Sequence, residues 1–413
     1  IKGANAKPAK PQYQVPYKGK TLTGEELVSQ LKKWADYGTI EKDTYEAIAQ
    51  VARNGEWADL SDKYFVLLGA GSAMGPYSIL MSLGANVIAV DLDREGIWQR
   101  LVKIATNSPG TLIFPMKVPQ GSLSTDEICK NAGGNLITHV PEILNWLKTV
   151  VPGKELTVGC YVYLDGEAHV KVALACDAIM KALAETRKAG LAFLCTPTDA
   201  HVITDDARRA AQSEYSSMGL GNLLLMPVRL VTGKTVLAKN ALAPVKTNDN
   251  RDVSIVDGLV VQQGPNYALA KRMQHWRAVV QRTSGNFVSS HIAPSTATAS
   301  VVHNKQFAWA YDGMPFFRPF EIFDQDTSNA VMAAILIYDL RNPKSIAQPT
   351  SPLKNPLEMF RETSFHGGVW RAGYKVGTIG EVSVIVHFIK VLKPVLLVLL
   401  VAILAIAYRF FQK

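Results

Sequence analysis

The apolar positions of this chain change period along its length, and each change marks an element. Leu27, Leu31 and Trp34 recur at helical spacing, as do Ile48 and Val51, so residues 24–53 read as two short helices split at Tyr37-Gly-Thr. From Lys63 the pattern switches to short continuous apolar runs. Tyr64–Leu68, Ala85–Val90, Thr111–Met116, Leu156–Leu164, Leu191–Cys195 and Asn286–Ile292 are predicted strands. Helices are predicted after the glycine turn through Leu83, then over 94–106, 139–150, 167–187, about 265–282 and 328–340. Strands that alternate with helices imply an α/β fold, a doubly wound parallel sheet of Rossmann-like type with helices on both faces.

Composition shifts set the boundaries. Residues 1–22, rich in Lys, Pro, Gln and Gly, are expected to form an extended basic arm, and 23–60 a helical extension. Residues 61–340 form the Rossmann-like domain, interrupted at about 216–252 by an insertion whose short apolar runs between Gly, Pro and Asn suggest a hairpin. Residues 341–382, rich in Pro and Gly, are expected to wrap the surface irregularly. Residues 383–413 are expected to be a C-terminal transmembrane anchor. Pro394–Tyr408 carries no charge and is flanked by Lys390, Lys393 and Arg409. A spanning helix needs about 20 apolar residues, with a lower limit near 17; the run reaches it when Lys393 and Arg409 snorkel.

The 413 residues are 48% hydrophobic and 19% charged, enough apolar material for a large core. The net charge of +9 is spread rather than gathered into one stripe, and no nucleic-acid-binding signature is present. Five lysines and no acids fall within residues 1–24, which reads either as a solvated end or as attraction to an anionic membrane surface. Cys129, Cys160, Cys176 and Cys195 form no CxxC pair and no zinc spacing; Cys160 and Cys195 sit in apolar runs, which favours a soluble domain in a reducing compartment. Whether the membrane belongs to a mitochondrion, a chloroplast or the endoplasmic reticulum is left open.

The strongest chemical signal is Gly69-Ala-Gly-Ser-Ala-Met-Gly75, placed after a strand and before a helix. Gly69 permits a tight turn, Gly71 lets backbone approach a diphosphate, and Gly75 lets the next helix pack close; Ser72 and Met74 complete the expected cofactor cradle. Asp91 ends the next strand, 22 residues beyond Gly69, where a carboxylate accepts hydrogen bonds from the adenosine ribose. Its charge favours NAD(H); nearby Arg94 leaves NADP(H) as the alternative.

These segments resemble the short-chain dehydrogenase/reductase superfamily. The resemblance resumes at Asn266-Tyr-Ala-Leu-Ala-Lys-Arg272, similar to the family's Tyr-x-x-x-Lys, and at Asn286–Ser295, similar to the strand and Pro-Gly turn that cover the nicotinamide. It implies that Tyr267 and Lys271 are catalytic, that Ser254, thirteen residues before Tyr267, holds the substrate oxygen, and that Pro294 and Thr298 contact the cofactor. Four residues apart on a helix, Tyr267 and Lys271 share a face; an ammonium there stabilises a phenolate, which exchanges a proton with a hydroxyl or carbonyl while hydride passes to or from the cofactor. The chain departs from the family pattern at Leu68, Ala73 and Ser295. Asp165 and Thr196–Asp199 follow strands and belong to the same cleft; His169 is expected on a helix surface, and His201 at a helix start or in the cleft.

Two functions follow. One is a membrane-anchored oxidoreductase acting on a small, lipophilic alcohol or ketone. The other is a non-catalytic nucleotide-binding accessory subunit of a larger membrane complex, with the arm, the irregular segment and the anchor as docking elements.

Overall fold

A computed structural model describes residues 1–6, 11–217 and 236–392. The chain opens with a hairpin, β1 (Gln14–Tyr17) and β2 (Lys20–Thr23), closed by Lys18 and Gly19, both at positive φ. Two positive-φ residues match the right-handed twist of the strands they join. Helices α1 (Gly24–Tyr37) and α2 (Lys42–Arg53) follow, separated at Gly38, whose φ of 89° no side-chain-bearing residue adopts readily.

Six strands then build one parallel sheet: β3 (Tyr64–Leu68), β4 (Asn86–Val90), β5 (Thr111–Ile113), β6 (Leu156–Cys160), β7 (Gly190–Cys195) and, far along the chain, β11 (Val288–Ile292). Their spatial order is β5-β4-β3-β6-β7-β11. The winding reverses between β3 and β6, so the crevice outside their carboxyl ends is where a Rossmann-like sheet takes a ligand. Alternation along each strand divides the core in two. Phe65, Leu67, Val87 and Ala89 face one cluster, with α1, α2, α3 (Tyr77–Ser82), α4 (Glu95–Thr106) and a late helix; Val66, Leu68, Ile88 and Val90 face the other. Beyond α5 (Thr125–Asn131), the second face is covered by α6 (Val140–Thr149), α7 (Glu167–Arg187) and α9 (Pro265–Thr283).

Between β7 and α9 the chain leaves the sheet. β8 (Ala200–Ile203), α8 (Asp205–Ser217), β9 (Val245–Lys246) and β10 (Asp252–Asp257) form an excursion whose strands make a separate antiparallel sheet, ordered β8-β10-β9. The insertion therefore starts nearer Thr196 than 216. Residues 218–235, which hold most of the expected hairpin, lie outside the described residues. After β11, β12 (Thr296–Ala297) pairs with β13 (Phe323–Asp324), enclosing α10 (Ala299–Val302) and α11 (Lys305–Gly313); α12 (Gln325–Arg341) then returns to the first face.

Two expectations change, and a third falls largely outside the described residues. The arm is not wholly extended: besides the hairpin, Ile1 exchanges hydrogen bonds with Leu112 and widens the β5 edge. Residues 341–379 are irregular but not superficial. Met359, Phe360, Phe365, Trp370 and Tyr374 are buried, and the segment is tied to the N-terminal helices by Glu41, which takes Arg371 through both oxygens (2.7 and 2.6 Å) and His366 at 3.1 Å. The C-terminal anchor lies largely outside the described residues. Of residues 383–413 only 383–392 are described, and they are helical; among the described residues no helix is long and apolar enough to cross a membrane.

Candidate functional site

The glycine turn leaves β3 as the sequence implies. Gly69 has φ +81°, and a Cβ on it would stand 3.0 Å from Val162, which follows β6, so both the conformation and the approach require glycine. The amides of Gly69 and Ala70 donate to Val90 O, Ser72 to Gly69 O, and Gly75 to Ser72 O. The expected helix is short: Pro76 caps it, and α3 runs only from Tyr77 to Ser82. Behind the turn, Asn329 of α12 donates to Ala73 O at 2.8 Å while its own Oδ1 has no partner. A cavity of about 20 Å³, room for about one water, lies there among Met74, Tyr161, Ser289, His291 and Asn329.

Asp91 follows β4 and faces the turn. Its Oδ2 accepts from Gly71 N at 2.6 Å and its Oδ1 from Leu92 N at 2.8 Å. Burial pushes its carboxyl up; those two amides, then Arg100 and Arg94, pull the other way. Arg100 donates to Gly71 O at 2.6 Å, and a Cβ on Gly71 would stand 2.8 Å from its guanidinium. Gly71 is thus packed against Asp91, Ile97 and an exposed arginine. Arg100 escaped the sequence reading because it lies two turns inside α4, past the Arg94 that flanks the strand.

Across the sheet, Tyr267 and Lys271 come together. Both lie on α9, and the Lys271 ammonium sits 6.0 Å from the Tyr267 ring centroid. It also reaches Leu194 O of β7 at 3.5 Å and Gln274 Oε1 at 3.3 Å. The pair therefore stands at the carboxyl ends of the strands, the edge on which the glycine turn opens. Tyr163 and Asp165, joined at 3.1 Å, follow β6 and border the pair. Tyr163 lies edge-on to the Tyr267 ring, with centroids 6.4 Å apart. Thr196 follows β7, its hydroxyl 2.6 Å from that of Thr198, and its carbonyl is 2.9 Å from His201 Nε2. Behind it Asp199 is paired with Arg272, and burial holds the His201 and His275 imidazoles below their ordinary pKa. His201 lies in β8, buried, rather than at a helix start.

Pro294 and Thr298 follow β11, whose extension is bonded to β7 through Ala293 N and Cys195 O at 3.0 Å. Thr298 caps α10 and its hydroxyl meets Ser300 at 3.0 Å. Ser254 is placed elsewhere. It lies in β10, opposite Ile203, and its hydroxyl donates to Asp205 at 3.3 Å; no contact links it with Tyr267 or Lys271. Counting back from Tyr267 fails because the excursion between β7 and α9 intervenes, and the hydroxyl at the end of the adjacent sheet strand is that of Thr196.

His169 is the largest correction. It is 1% exposed, not a surface residue, and its ring stacks on Tyr267 at 5.8 Å and 17°. Nδ1 faces Leu164 N at 3.4 Å; Nε2 is buried without a partner. Burial, and then the Lys271 charge, lower its pKa to about 4, so the ring is neutral near pH 7. The signal was present: His169 heads the stripe Val172, Ala173, Cys176, Ile179, Met180 and Leu183 at helical spacing, all buried.

No family model matches the chain, and no curated protein matches it in sequence.

Proposed function

We propose that the chain is a membrane-anchored, dinucleotide-dependent oxidoreductase of short-chain dehydrogenase/reductase type, acting on a hydroxyl or carbonyl group. The observation that carries this reading is the Lys271 ammonium packed over the Tyr267 ring at the carboxyl edge of the sheet. The glycine turn with its carboxylate partner on that same edge supports it.

The residues fit the adenosine end of NAD(H). Asp91 retains acceptor capacity beyond its two amide bonds, since each carboxylate oxygen carries two lone pairs. Ser72, Met74 and Gly75 frame the turn, and Pro294 and Thr298 border the far end. Arg100 makes NADP(H) the alternative, because a guanidinium beside Asp91 suits a 2′-phosphate. When bound, the dinucleotide supplies the hydride donor or acceptor.

The chain's own residues do the rest. Tyr267 exchanges a proton with the substrate oxygen at its phenolic Oη. Lys271 sets its ammonium against the Tyr267 ring. Thr196, rather than Ser254, offers the hydroxyl that holds the substrate oxygen. His169 stays neutral and fixes the plane of the Tyr267 ring by stacking. One face of the ring is covered by His169 itself.

The test is Tyr267→Phe. Turnover should fall about 10²–10⁴-fold, the ordinary worth of a positioned general acid–base group, with dinucleotide affinity unchanged. An unchanged rate removes this mechanism. The second reading, a nucleotide-binding subunit of a membrane complex, is favoured by the departures from the family pattern at Leu68, Ala73 and Ser295. It expects copurification with a larger assembly and no turnover in either form.

A further inference from the structure

The helix over residues 380–392 carries apolar side chains away from the core. It is clasped to α11 in antiparallel fashion. Gly313 packs on the backbone of Ser383, Asp312 takes His387 at 3.0 Å and also pairs with Lys390, and the Trp309 ring lies 5.1 Å from that of Phe388. Ile385, Phe388, Ile389 and Leu392 follow i, i+3, i+4, i+7 spacing and form one face. That face is open: Ile385 is 57% exposed, Ile389 58% and Leu392 50%.

An exposed apolar stripe of this kind marks a contact surface. A second copy of the chain is a poor occupant. A thirteen-residue helix is about 20 Å long and about 10 Å wide, so it offers about 200 Å², against about 800 Å² per partner in a stable interface. A lipid surface matches better. The stripe leads directly into Pro394–Tyr408, which carries no charge in sequence, and Lys390 and Lys393 stand at the junction. Basic residues beside an apolar helix face are the pattern of a helix lying in an anionic headgroup layer.

We infer that residues 380–392 lie flat in the headgroup layer of an anionic bilayer with this stripe buried. The seating rests on the proposed membrane association.

The experiment uses the full chain carrying Ile389→Cys labelled with a polarity-sensitive fluorophore, with Leu174→Cys on α7 as control. The native thiols are all buried and Leu174 is exposed, so labelling is selective. Phosphatidylcholine–phosphatidylserine vesicles with brominated acyl chains are added. The expected result is co-flotation with the vesicles, a blue shift and several-fold quenching at 389, and neither change at 174. Co-flotation without quenching at 389 overturns the inference while leaving the anchor intact. No co-flotation removes the anchor and the inference together. A blue shift at 389 before vesicles are added also overturns it: if concentration-dependent, a second copy covers the stripe, and if not, the chain's own tail does.

Discussion

The two ends of the candidate cleft are built on opposite plans. Around Gly71 the polar groups are paired with one another: Asp91 takes the amides of Gly71 and Leu92, and Arg100 takes the Gly71 carbonyl, while an unpartnered atom, Asn329 Oδ1, lies behind the turn. At α9 they are not. His169 Nε2 is buried without a partner, and the Lys271 ammonium makes only long contacts, at 3.3 and 3.5 Å. A satisfied network holds a loop in one shape; an unsatisfied group in a buried place stores an interaction that a ligand can complete. On this comparison the turn is structurally self-sufficient, and the Tyr267 end is the part left for chemistry.

Asp91→Ala puts the first half of that contrast at greatest risk. It strands two backbone donors, each costing about 1–3 kcal/mol when buried and unpaired, so a loss of about 2–5 kcal/mol is expected in denaturant unfolding. Dinucleotide binding should disappear with it. Asp91→Asn keeps one acceptor oxygen and should recover part of the stability but little of the affinity. If Asp91→Ala abolishes binding at no cost in stability, the carboxylate is held for the ligand alone and the two ends are not built differently.

How far the sequence led follows the same division. From β3 to β7 each strand and every helix but α5 was legible, because each apolar run has one place to go. Phe65 and Leu67 face one layer, Val66 and Leu68 the other. The site was legible where a backbone conformation demanded it, as at Gly69, and where two residues shared a helix face, as at Tyr267 and Lys271. It was not legible where sequence distance stands in for spatial distance. Ser254 was placed by counting back from Tyr267, and a separate sheet intervenes. Residues 341–382 looked like a surface wrap by their prolines and glycines; Phe365 and Trp370 bury because Glu41, Arg371 and His366 pin the backbone around them.

His169→Phe sharpens the second half of the contrast. Phenylalanine keeps the stacking on Tyr267 and removes the stranded nitrogen. The sign is fixed by the lowered pKa. Between about 6.5 and about 4 the unfolded chain binds a proton that the folded chain refuses, so the wild type loses stability as pH falls through that window. The variant should lack this loss, and near pH 4 it should gain on the wild type by an amount on the order of 2–3 kcal/mol. Near pH 7 the two should differ little in stability, and turnover should change little, because the stacking that fixes the Tyr267 ring is kept. Thermal melts across the window, paired with pH–rate profiles, check it. A variant that loses as much stability at pH 7 as at pH 4 would make His169 a packing residue with a hidden partner.

Arg100→Ala has the smallest expected effect and bears on the choice of cofactor. The side chain is exposed, so its removal should leave stability within about 0.5 kcal/mol. Its guanidinium stands beside Gly71 and Asp91, where it both packs against Gly71 and offers a partner to a 2′-phosphate. These roles pull the two dinucleotides apart. NAD(H) gains access without losing a partner and should bind equally or slightly more tightly. NADP(H) loses one solvent-exposed charge contact, worth up to about 1 kcal/mol or about fivefold in affinity. Titration calorimetry on both cofactors reads the difference directly. Equal weakening of both would mean that Arg100 shapes the turn through the Gly71 carbonyl, and that the paired network extends to it; no change in either would place the adenosine end away from Gly71 altogether.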